Sequence, residues 1–173
     1  MIHIKEEAPG DSPAREALLD RCFGTARHRK TVARLRRGRM PAEGLALCAF
    51  DGGALVGTVR LWEICAGSAG DALLLGPIAI APHLQGQGIG HKLMHHALAE
   101  AASHGHKAVL LVGDAPYYAR FGFSRSLAQG LILPGPVDLD RFLGLELCGG
   151  TLAGAKGRIT ATGRKLARVP IAA

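Results

Sequence analysis

An apolar run that passes through a glycine-studded turn straight into a long amphipathic stretch constrains this chain more than any other feature. It is DALLLGPIAIAPHLQGQGIGHKLMHHALAEAAS, residues 71–103. Glycine costs ~1 kcal/mol relative to alanine inside a helix. Three glycines within five positions, Gly86, Gly88 and Gly90, therefore answer some need other than helix stability. A strand that turns into a helix at such a mouth gathers free backbone N–H groups and the positive end of the helix dipole around one point. The missing Cβ atoms let an anion approach the main chain. The turn reads as a phosphate site. Behind it, Ile89, Leu93, Met94, Ala97, Leu98 and Ala101 recur at helical spacing and mark the buried face of a helix over about 88–103.

Two phosphate-binding patterns fail here. The dinucleotide fingerprint G-x-G-x-x-G would need its third glycine at His91 or Leu93, and no glycine precedes a Lys-Ser or Lys-Thr pair as in a P-loop. What fits is Q-x-x-G-x-G, spelled Gln85-Gly86-Gln87-Gly88-Ile89-Gly90.

The surrounding order is that of one α/β domain. IHIKEE reads as a first strand, and Asp11-Ser12-Pro13 as the cap of a helix reaching about Arg21. The basic block 27–37 reads as a second helix, with Val32 and Leu35 on a thin apolar side. Two β-rich runs flank Asp51-Gly52-Gly53, a hairpin signal. Gly76-Pro77 interrupts the next strand, which implies a bulge or an edge where pairing stops. AVLLVGD is a buried-type strand, APYYARFG a short helix, and FGFSRSL the start of another strand. Beyond Leu127 strand and turn cues mix. With no internal repeat and no linker, residues 1–173 read as a single domain.

Composition excludes several classes. No run approaches the ~20 apolar residues that span a bilayer, and the acidic start lacks a signal-peptide pattern, so a cytoplasmic protein is expected. Cys22, Cys48, Cys65 and Cys148 are scattered and read as reduced thiols. The net charge of +7 is concentrated in two acid-free blocks, 25–41 with seven Lys/Arg and 156–168 with five, the latter ending at Arg168. Such blocks attract phosphates, nucleic acid or anionic surfaces. Aromatic residues are only 5% of the chain and none interleaves residues 27–39, which argues against nucleic acid. A solvated face is the first reading of that block and an anion-attracting rim the second. His91, His95 and His96 have no acid between them and form no H-E-x-x-H, so no metal is expected.

Downstream, Tyr117-Tyr118-Ala119-Arg120-Phe121-Gly122-Phe123 adds a second motif. Together with Q-x-x-G-x-G after an apolar strand, it makes the chain resemble the GNAT superfamily of acetyl-CoA-dependent N-acetyltransferases, in its bacterial branch of small predicted acetyltransferases. The first aromatic is Tyr where that family often has Phe. The resemblance implies a mixed, mostly antiparallel central sheet flanked by helices. It implies direct transfer of an acetyl group from acetyl-CoA to a primary amine of a small molecule or peptide, without an acyl-enzyme. By the same resemblance, Gln85, Gly86, Gln87, Gly88, Ile89, Gly90 and His91 hold the pyrophosphate. Ile78, Ala79 and Ile80 pair with the pantetheine arm, and the Ile80 N–H polarises the acetyl carbonyl. Tyr118 takes the place of the general acid, with plain packing as its alternative. Glu63 stands where the family often has a carboxylate base, and an exposed polar residue near a strand end is equally compatible. A catalytically silent acyl-CoA-binding regulatory domain is the rival function. The amine and the oligomeric state, a homodimer included, stay open.

Overall fold

The computed structural model describes residues 1–167, so Arg168 lies outside the described residues. The chain runs β1 (Ile2–Glu6), α1 (Ser12–Phe23), α2 (Ala33–Arg36), β2 (Ala46–Asp51), β3 (Ala54–Ala66) and β4 (Asp71–Ile80). It continues through α3 (Ile89–Ser103), β5 (Ala108–Val112), α4 (Ala115–Ala119), β6 (Leu131–Ile132), β7 (Phe142–Glu146) and β8 (Gly157–Ala161). The main sheet has the order β1-β2-β3-β4-β5-β7, with β8 on the far end of β3 and β6 beside β8. Along the main path only β4 and β5 pair in parallel. The sheet is thus mixed and mostly antiparallel, as expected.

Local chemistry explains the turns. Gly52 and Gly53 both have positive φ, 54° and 84°, as a two-residue type I′ hairpin demands. Glycine is needed there. In the β3–β4 pair, Val59 faces Ile78 and Leu61 faces Leu75, so three steps on β4 oppose two on β3. The extra residue is the bulge at Gly76-Pro77, and it sits inside the sheet. Just before the bulge, β4 and β5 pair only at Leu73–Val109 and Leu74–Leu110. Past those residues the two strands part and leave a wedge.

The core lies on both faces. One side packs α1 and α3 against the sheet through Leu18, Leu61, Leu73, Leu93, Met94 and Val109. The other packs Trp62, Leu74, Leu110, Phe142 and Leu131 beneath α2 and the segment 126–159. A buried Glu7 carboxylate receives Arg15 of α1 and both Nε and Nη2 of Arg60 in β3, tying helix to sheet.

Two expectations are corrected. The basic block is not one helix but a 3₁₀ stretch, Thr25–Arg29, followed by the single turn α2. Its cations have no acids at helical spacing to relieve their repulsion, and Thr31 Oγ1 and Arg34 Nη1 instead donate to the carbonyls of Pro136 and Pro134, at 2.5 and 2.7 Å. FGFSRSL does not open a strand either. Ser124 exchanges one pair of hydrogen bonds with Gly144 of β7, then the chain turns so that Ala128 enters the second core.

Candidate active site

The glycine turn closes one end of the wedge. Gly86 and Gly88 have φ of 79° and 80°, a left-handed conformation that other residues rarely adopt, and Gly88 is the N-cap of α3. No side chain caps this helix end. Its first-turn N–H groups have no intrahelical partner, and a Cβ at Gly86 or Gly88 would meet nothing within 4 Å. The result is an open cradle of donors at the positive end of a 15-residue helix. The side chain of Gln85 folds back to donate to the Ile80 carbonyl at 3.2 Å, and that of Gln87 to His83 O at 3.4 Å, which braces the turn from behind. Gly90 serves a different purpose. A Cβ there would stand 3.1 Å from Tyr117 Oη and 3.6 Å from Ile80, so this glycine admits a tyrosine to the first turn.

The edge of β4 supplies the second part. Ala81 N–H donates to Val56 O at 2.8 Å. Antiparallel pairs alternate between bonded and unbonded, so Ile80 opposite Gly57, and Ile78 opposite Val59, turn their N–H and C=O away from β3. They point into the wedge, where β5 has already diverged. Ala79, by contrast, spends its backbone groups on Thr58 of β3. Ile78 and the Ile80 N–H therefore form a strand edge with no β partner, leading from the wedge to the glycine cradle, while the Ile80 carbonyl accepts from Gln85 Nε2 and Cys22 Sγ.

Tyr118 stands at the end of β5. Asp114 caps α4, its carboxylate accepting the Tyr117 N–H at 3.1 Å. The Tyr118 ring lies edge-on to Tyr117 and Phe123, with centroids 5.0 and 6.0 Å away. It also packs against Gly113, where a Cβ would come within 2.3 Å of the ring. Burial pushes the phenol up to about 12, with Tyr117 adding to the shift and Arg141 opposing it. The hydroxyl is therefore held protonated throughout the neutral range. Gly113 was not singled out from the sequence. A glycine ending a buried strand just before a tyrosine-bearing helix is the signal of a close approach.

Ile78 of the β4 edge and the two tyrosines line one cleft of about 550 Å³, and the glycine turn adjoins it where Tyr117 reaches Gly90. Leu75 to Ile78 form one wall, Leu111 to Asp114 the other, and Tyr117 and Tyr118 the end. The basic segment closes it from above with Arg27, Lys30 and Arg36, and the stretch before β7 adds Asp138 and Arg141. So part of the basic block faces the cleft, while Arg29, Arg34 and Arg37 remain exposed.

Glu63 is elsewhere. It faces Leu73 beyond the bulge, while Gly57 faces Ile80, which puts it about 20 Å along β3 from the Ile80 level at ~3.3 Å per residue. It lines a separate depression with His104 and His106, just beyond the far end of α3. The structure does not bring Glu63 and Tyr118 together. The cause is the length of β3: being late in a 13-residue strand carries Glu63 past the wedge. His91 begins the outer face of α3, its Nε2 3.0 Å from that of His95, both rings near Phe121. Among the described residues no three His, Cys, Asp or Glu side chains converge as metal ligands.

Comparison with known proteins gives the following. Residues 13–123 match the family model described as acetyltransferase (GNAT) family. The uncharacterized N-acetyltransferase YhbS of Escherichia coli K12 is 29% identical over 157 residues, covering 90% of this chain and 93% of its own. The crystal structure of E. coli YhbS in complex with CoA gives a TM-score of 0.79 at 28% identity, over 93% of this chain and 89% of that one. A GNAT family acetyltransferase from Brucella melitensis, crystallised with acetyl-CoA, gives 0.68 at 26% identity, over 94% and 96%.

Proposed function

The chain belongs to the acetyltransferase (GNAT) family, and from that premise we propose that it moves the acetyl group of acetyl-CoA onto a primary amine of a small molecule or peptide by direct attack. The observation that carries the proposal is the outward β4 edge, Ile78 and the Ile80 N–H, running from an N–H cradle to the cleft that a protonated phenol lines. Acetyl-CoA brings the acetyl group as an activated thioester. The donors around Gly86 to Gly90 suit its pyrophosphate, and an extended arm can add to the β4 edge as a further strand would. The Ile80 N–H, turned into the wedge, can then polarise a carbonyl. Holding both reactants in one cleft supplies much of the rate.

The chain's own groups define the proton path. Tyr118 is kept neutral and can donate to a departing thiolate. No cysteine lines the cleft among the described residues, and the Cys22 thiol donates to Ile80 O at 3.4 Å while burial pushes its pKa up. A thiol so held is a poor nucleophile. With Glu63 out of reach, the proposed acceptor is an amine that needs no strong base. An α-amino group titrates near ~8, against ~10.4 for lysine. We place the protein in the cytoplasm; no helix among the described residues is long and apolar enough to cross a membrane.

Acetyl-CoA should raise the melting temperature by binding the folded state, and a screen of amines should reveal acceptor-dependent release of free thiol. Mass spectrometry after incubation with acetyl-CoA alone should find the protein unmodified. A stable acetyl adduct consumed on adding the amine would overturn direct attack.

A further inference from the structure

Among the described residues, the cleft holds one half-buried cation with no ion pair. Arg27 is paired with Glu16 and Asp20, and Lys30 lies 5.2 Å over the Phe23 ring. Arg141 stands exposed at the rim. Arg36 differs from all three. Val32 and Leu35 pack into the second core and fix the turn of α2, while Arg34 is drawn off to the Pro134 carbonyl. The Arg36 guanidinium is thereby laid over the bulge of β4, 3.5 Å from where a Cβ of Gly76 would stand. Among the described residues it has no ion pair. Desolvation, and secondarily Arg27, pull its pKa down to about 10, so it is still charged at neutral pH. The acids of the cleft are committed elsewhere: Asp114 caps α4 and Asp138 accepts the Asp140 N–H at 3.0 Å.

A half-buried guanidinium without a counter-ion is costly, and a carboxylate or a phosphate is the partner its fork matches. The position distinguishes the ligand. Gly76 lies four residues before Ile80 on β4, roughly 13 Å at ~3.3 Å per residue from the strand end that meets the cradle. A cofactor phosphate in the cradle is out of its reach, and an acceptor entering the wedge is not. We propose that Arg36 binds the carboxylate of the acceptor, so that the substrate is an amine that is also an acid: an amino acid, or a short peptide or amine derivative with a carboxylate near its amino group. Polycationic amines are disfavoured in a cleft that Arg27, Lys30, Arg36 and Arg141 line together. The inference rests on the N-acetyltransfer reading above.

The test compares matched acceptors on the unmodified protein, with thiol release from acetyl-CoA as the readout. The panel is the set of free α-amino acids, β-alanine and γ-aminobutyrate, each beside its carboxamide, with putrescine and spermidine as carboxylate-free amines. At least one acid should be turned over with kcat/KM ten-fold or more above its carboxamide. In Arg36→Gln that acceptor's KM should rise ~10–100-fold, the range for losing a charged hydrogen bond, with the KM for acetyl-CoA unchanged and Arg36→Lys recovering part of the loss. Equal turnover of acids and carboxamides, or preference for putrescine or spermidine, would overturn this inference and leave N-acetyltransfer standing. A rise in KM for acetyl-CoA alone would assign Arg36 to the cofactor and overturn it too. No thiol release with any amine, despite a melting shift with acetyl-CoA, would overturn the N-acetyltransfer reading and this inference together.

Discussion

The two sides of the cleft are made of different materials. The side proposed to hold the cofactor is main chain: the outward edge of Ile78 and the Ile80 N–H, and the N–H groups of the turn, all within fifteen residues of sequence. The opposite side is side chain: Arg27 and Arg36 from the stretch after α1, Tyr118 from α4, Asp138 and Arg141 from just before β7. A ligand held by backbone requires particular φ angles at fixed offsets, and only a few residue types supply them. A ligand held by side chains requires only that segments over a hundred residues apart meet. The first demand writes a motif into the sequence; the second does so only for Tyr118, which the adjoining α4 and Gly113 position locally.

The difference can be tested by whether cofactor binding and turnover separate. The largest effect is expected on the side-chain side. Tyr118→Phe keeps the ring on Gly113 and deletes the proton, so kcat should fall ~10²–10⁴-fold, the usual worth of general acid catalysis. The melting shift produced by CoA should stay that of the parent. Near-parental turnover would reduce Tyr118 to a packing residue.

On the backbone side, Gly88→Val should remove the CoA-induced stabilisation, which at a hundred-fold excess over Kd is ~2.7 kcal/mol. Gly105→Val is the matched control. Gly105 also has positive φ, 84°, and open space around it, but it follows α3 at the other end. Both variants bear the same kind of backbone strain, and only the first should lose the response. Loss in both would make the cradle a matter of general stability.

A smaller effect is expected on stability at alkaline pH. With the Tyr118 phenol pushed up to about 12, the unfolded chain has released its proton above the ordinary tyrosine value of ~10 while the folded chain still holds it. The folded state then binds more protons, and stability falls as pH rises across that window. Urea unfolding at pH 9.5 and 11 should show the parent losing more stability between the two than Tyr118→Phe. Parallel losses would mean that the phenol is not desolvated. Least of all should follow from Glu63→Gln, whose turnover is expected within ~2-fold of the parent because the residue lies at the far end of β3 from the wedge. A fall comparable with that of Tyr118→Phe would return a carboxylate to the mechanism.

Legibility in the sequence followed the same division. The 71–103 stretch revealed its strand, turn and helix because each left a periodic or glycine signal, and the Gly76-Pro77 bulge was visible as a proline where a ladder donor belongs. The region 27–37 misled because charge count says nothing of direction: α2 is too short for periodicity, and its anchors are carbonyls at Pro134 and Pro136. Glu63 misled for a similar reason. Alternation gives the face of a strand but not the distance along it at which the wedge opens. β6 and β8 were missed because their pairing is with each other and with β3, not with sequence neighbours.

The sequence by itself determined the family, the strand–turn–helix that makes the N–H cradle, and the hairpin at Gly52-Gly53, since all three rest on backbone conformations that few residues permit. The tertiary structure alone decided which cations face the cleft, that Gly113 is the floor beneath Tyr118, and that Glu63 lies at the wrong end of the sheet. Those outcomes depend on where strands stop pairing and which distant carbonyls capture a side chain. Such contacts are long-range, and no local pattern of residue types encodes them.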